Sequence, residues 1–142
     1  MRGNRTVGAA VLALAVGGLV LVACTEVAQT PVSGKKLYED YCQTCHGAGG
    51  RGDGPLANDL TKRPADLTRI AARNGGEFPM ARVMSTIDGY TRRDDLNSIM
   101  PELGGLFADG PMVRVDTGDG ILTPAPESLV ALADYVKSLQ EP

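Results

Sequence analysis

Two cysteines and a histidine, spaced as Cys42-Gln43-Thr44-Cys45-His46, constrain this chain more than any other feature of its 142 residues. Thiols two residues apart on a turn of helix can reach the two vinyl groups of one haem, and the histidine that follows is then placed to bind iron on the proximal side. His46 is the only histidine. A sixth ligand, if there is one, is therefore not a second imidazole from this polypeptide, and a second haem of the same type is excluded. Two other chemistries use these residue types. A redox dithiol sits at the start of a helix in a βαβ pattern, and no such pattern is visible. A structural zinc site wants four ligands, whereas the chain has one histidine and three cysteines, the third of which has another use.

That third cysteine ends a targeting segment. Arg2 and Arg5 make a positive start, and Val7 to Ala23 is an unbroken run of apolar residues and glycine. The run is short for a membrane span, which needs about 20 residues, and suits a signal-peptide core. Leu21-Val22-Ala23-Cys24 resembles the lipobox of bacterial lipoproteins, which implies a signal peptide over residues 1–23, cleavage before Cys24 and lipid on its thiol. An uncleaved anchor helix is the alternative. Either puts the domain on the periplasmic side of a bacterial membrane. With Cys24 lipidated and Cys42 and Cys45 on haem, no thiol is left for the disulfide that an oxidising compartment would allow. The leader also removes two of the 14 basic residues and none of the 17 acids, so the mature chain is more acidic than the full chain's −3. That balance argues against nucleic acid and is compatible with protein partners that carry a basic patch.

Residues 24–33 lack periodicity and read as a short tether, leaving 34–142 as one small, glycine-rich domain without tryptophan. A domain with few bulky side chains needs help to fill its core, and a buried haem would supply it. The first helix is expected from Gly34 to Cys45, capped by Ser33, with Leu37, Tyr38, Tyr41, Cys42 and Cys45 on its inner side. Tyr38 and Tyr41 are read as packing residues. Gly47 to Pro55 holds five glycines and reads as a loop whose backbone can approach the macrocycle closely. Short helices are expected over Asp66–Ala72 and Pro79–Asp88, and a small hairpin around Gly118-Asp119-Gly120. A last helix is expected after a Thr123 cap, with Pro124 and Pro126 in its first turn and Leu129, Leu132, Ala133, Val136 and Leu139 on its apolar side.

Four methionines follow the cysteine pair: Met80, Met84, Met100 and Met112. Met80 and Met84 belong to a helical pattern and read as core. Met100 lies in an irregular stretch before Pro101, which fixes the local backbone, and is the candidate distal ligand. An open or differently ligated iron is the alternative. The N–H of His46 needs an acceptor that orients the ring; the carbonyl of Pro64 is the choice, with Pro55 next. Arg51, Arg92 and Arg93 are candidates for the haem propionates.

Taken in order, these stretches resemble the monohaem c-type cytochromes of the His/Met type. The resemblance runs through the Cys42–Gly47 motif, the Gly50-Arg51-Gly52-Asp53-Gly54-Pro55 loop, Pro64-Ala65-Asp66-Leu67, Met100-Pro101-Glu102-Leu103-Gly104 and Leu132 to Leu139. It implies an all-α cytochrome c fold in which the first and last helices cross. It also implies one covalent haem c with its iron between His46 and Met100, a proline carbonyl on His46, and electron transfer rather than enzymatic catalysis. Redox proteins would be the partners, with no small-molecule substrate. A haem subunit of a dehydrogenase complex is the nearest alternative, and an open-site haem enzyme or gas sensor a more distant one. Residues 105–122 are longer than the compact family pattern.

Overall fold

The computed structural model describes residues 31–91 and 99–142. The targeting segment, Cys24 and most of the tether fall outside them, as do Arg92 and Arg93. Two helical segments open the domain, α1 (Gly34–Tyr41) and α2 (Gln43–His46). They are separated at Cys42, but backbone bonds run through the junction: Cys42 N–H donates to Tyr38 and His46 N–H to Cys42, both at 2.9 Å. Ser33 caps α1 through Lys36 N–H. A 3₁₀ turn (Leu67–Arg69) leads into α3 (Ile70–Arg73), with the Asp66 carboxylate accepting from the N–H and hydroxyl of Thr68. Next come α4 (Met80–Asp88), closed by left-handed Gly89, and α5 (Gly104–Phe107). The chain ends in strands β1 (Met112–Asp116) and β2 (Leu122–Pro126), followed by α6 (Glu127–Ser138). Among the described residues no helix is long and apolar enough to cross a membrane.

The core forms where α1, α4, α5 and α6 meet. Tyr38, Leu132 and Ala133 are fully buried and Phe107 nearly so. The first and last helices cross closely because Gly34 has no side chain: a Cβ there would overlap the carbonyl oxygen of Ala131. One turn further along, the rings of Tyr38 and Tyr135 pack with centroids 5.2 Å apart, an arrangement that favours tilted pairs.

Two expectations need correction. The domain is helical but not all-α, because β1 and β2 form an antiparallel ribbon pairing Met112 with Pro126 and Asp116 with Leu122. Its turn is held by the Asp116 carboxylate, which accepts from Gly118 and Gly120 N–H at 2.9 and 3.0 Å. The last helix therefore starts later than its prolines imply. Thr123 and Pro124 lie in β2, opposite Val115 and Arg114, and Pro126 stands extended at the N-cap. Proline lacks the donor that a ladder bond needs, but a two-stranded ribbon has outer edges on which the missing donor costs nothing.

Candidate haem site

Helix α2 and the stretch Leu60–Ala65 form one wall of a cavity of about 270 Å³, and residues 99–103 form another. Cys42, Cys45, His46 and Met100 all line it, together with Tyr41, Leu60, Pro64, Ile99 and Leu103. Of the four methionines Met100 is the one in this wall. Met80 and Met84 are buried on α4, with Met84 against a separate groove beside Pro124 and Leu129, and Met112 is exposed on the ribbon. The Met100 stretch is tied down at its end, where Leu103 is buried and its N–H donates to the Ile87 carbonyl at the end of α4 at 3.1 Å.

His46 is oriented by a backbone acceptor. Its Nδ1 lies 2.9 Å from the carbonyl oxygen of Ala65. A carbonyl only accepts, so Nδ1 carries the proton and Nε2 keeps its lone pair. Burial lowers the imidazole's pKa, opposed in part by the Ala65 bond, and the neutral form is the one that binds metal. The acceptor is thus Ala65 and not Pro64. Pro64 is a wall residue whose carbonyl points instead towards the Gly52 backbone, which a Cβ on Gly52 would strike.

Burial also pushes the Cys42 thiol up to about 11, with neighbouring Cys45 adding to the effect. Both cysteines are free of disulfide. Tyr38 and Tyr41, alike in sequence, part company here. Tyr38 is buried and its hydroxyl donates to the Gly47 carbonyl at 2.6 Å, fixing the turn after His46; burial holds that phenol protonated well above its ordinary range. Tyr41 is half-exposed at the cavity, its ring edge-on to Phe107.

The glycine loop lies beside the cavity without lining it. It folds back on the attachment helix: Gly52 N–H donates to His46, Gly54 N–H to Cys45 and Leu56 N–H to Thr44, at 2.8 to 3.1 Å. Gly52 and Gly54 serve the approach of backbone to backbone: a Cβ on either would overlap the carbonyl of Pro64 or of Thr44. Arg51 forms an ion pair with Glu141.

A family model for cytochrome c oxidase, cbb3-type, subunit III matches residues 29–102. The chain belongs to this family of c-type cytochromes. Comparison with curated proteins and with solved structures gave no match. The cytochrome carries covalent haem c with its iron, and the cavity fits that cofactor on its own chemistry. Two thiols, an imidazole with a free Nε2 lone pair and a thioether share one mostly apolar lining. Cys42 and Cys45 would hold the ring, and His46 and Met100 would be the candidate iron ligands. Leu60, Ile99 and Ala65 also line the cavity; as ordinary loop residues they gave no sign of it in sequence.

Proposed function

We propose that this cytochrome is a periplasmic one-electron carrier, anchored to the membrane by lipid on Cys24. The reading rests on His46, whose ring is fixed by Ala65 in the metal-binding tautomer within the same cavity as Met100. Bound there, haem c supplies a one-electron iron couple. Cys42 and Cys45 would keep it from leaving, and with His46 and Met100 both as iron ligands there would be no place for a substrate at iron. A thioether opposite an imidazole raises the reduction potential relative to two imidazoles, and the apolar lining limits the solvent that would stabilise the oxidised form. Donor and acceptor are redox proteins.

Carbon monoxide tests the axial pair. The absorption spectrum of the reduced protein is expected to be unchanged by the gas. A rapid, complete shift to an adduct would overturn the carrier reading in favour of an open-site enzyme or gas sensor. The anchor is tested separately: Cys24→Ala is expected to move the haem-stained protein from the membrane fraction to the soluble fraction. Retention at the membrane would instead point to an uncleaved anchor helix.

A second reading is a haem subunit fixed in a larger redox complex. The family description, an oxidase subunit, favours it, and so do Leu106, Met112, Ile121 and Leu122, large apolar residues exposed on and near the ribbon. A stoichiometric partner that survives purification would decide for this reading.

A further inference from the structure

We propose that Gln140 is a positioning residue for the iron ligand His46, acting through the backbone segment that carries the Ala65 carbonyl. Gln140 lies beyond the end of α6, and its side-chain amide makes three hydrogen bonds. Its Oε1 accepts from Ala71 N–H at 2.8 Å, and its Nε2 donates to the carbonyls of Leu67 and Val136 at 2.8 and 2.9 Å. One amide thus ties the last helix to the 3₁₀ turn and to α3. Adjacent contacts reinforce the clamp: Glu141 N–H donates to the Thr68 carbonyl at 2.9 Å, Arg69 reaches the Pro142 carbonyl, and Arg51 pairs with Glu141.

The clamped turn begins at Asp66, the residue after Ala65. Among the described residues the His46 ring is the side chain bonded to the Ala65 carbonyl, and the position of that carbonyl is otherwise set by the backbone around it. That backbone is fixed on its C-terminal side by Leu67 N–H, which donates to the Gly50 carbonyl at 2.6 Å, and by Arg73, which donates to the Asp66 carbonyl at 2.7 Å. Leu67, which makes the first of these bonds, is also the residue whose carbonyl Gln140 holds, and Asp66 directly precedes it. Loosening the amide frees the turn, and the Ala65 carbonyl moves with it. A weaker bond from His46 Nδ1–H leaves the imidazole a poorer donor to iron, which favours the reduced state.

This inference rests on His46 ligating iron, and the test separates the two claims. Gln140→Met keeps the length of the side chain and removes all three hydrogen bonds. It is expected to shift the oxidised/reduced equilibrium about threefold towards the reduced form, about 28 mV at 59 mV per tenfold. It is also expected to speed solvent exchange of the His46 Nδ1 proton in the reduced protein. With one histidine in the chain, that ¹⁵N signal is unambiguous. Leu129→Ala, a core truncation at the far end of α6, should lower stability and leave the potential unchanged. If Gln140→Met lowers stability and moves neither potential nor exchange, Gln140 is merely structural and the proposal falls. Should Gln140→Met fail to mature, the wild-type protein still decides: Nδ1–H of His46 and N–H of Ala71 should exchange through one opening, with equal protection. Unequal protection overturns the proposal. Absence of a nitrogen ligand from His46 in the spectrum would instead defeat the carrier reading itself.

Discussion

Replacing Met100 with alanine is expected to make the reduced protein bind carbon monoxide readily and to lower its reduction potential by on the order of 100 mV, within the roughly 0.8 V that axial ligation spans. Both follow from one loss. Met100 is the methionine in the cavity wall, and its departure removes the thioether and opens the distal side to water or gas. Met84 cannot move in as a substitute, since it is buried on α4 and borders a different groove. Nor can an imidazole, because the chain has none to spare. Carbon monoxide titration and potentiometry check both effects. A variant as inert to the gas as wild type would show that Met100 is not the ligand.

The second large effect is on stability. Gly54→Ala would place a Cβ 2.6 Å from the Gln43 carbonyl oxygen and 2.7 Å from the Cys45 carbonyl carbon, and would overlap the Thr44 carbonyl. All three neighbours are backbone of the attachment helix and cannot turn aside as a side-chain end would. Gly54 is not among the glycines with positive φ, so the cost is overlap alone and not a forbidden backbone angle. Forced overlap in a packed region costs about 3 kcal/mol, which at roughly 4 °C per kcal/mol lowers the unfolding temperature by on the order of 12 °C. Thermal unfolding followed at the haem band measures it. A variant within about 0.5 kcal/mol of wild type would mean that the loop does not lie against the helix as described.

Short-range chemistry could be read directly from the sequence. Ser33, Asp66 and Gly89 mark helix ends because caps act within one turn. Cys42, Cys45 and His46 fall together because their spacing is that of a single helical stretch. Pro101 singled out Met100 among the methionines, and Met100 lines the cavity. Longer-range features were not. Pro124 and Pro126 are compatible with a helix start or with the edge of a ribbon, and only the pairing with Arg114 and Met112 decides between them. Pro64 and Ala65 differ by one position, and which carbonyl meets His46 depends on how the backbone turns between Gly52 and Asp66. Gln140 reads as an ordinary polar residue at a helix end, since its three partners come from Leu67, Ala71 and Val136.

The interlocking of the two ends of the domain sets the order of events in maturation. Gly34 packs against Ala131, and the ring of Tyr38 rests on that of Tyr135, so α1 has no complete resting place until residues as far along as Tyr135 are available. Closing so long a loop is entropically costly and slow compared with local helix formation. Throughout that interval the sulfur of Cys42, buried in the finished fold, stays accessible. Late closure therefore keeps a time window for covalent attachment, and a permutation joining α6 directly to α1 would shorten it.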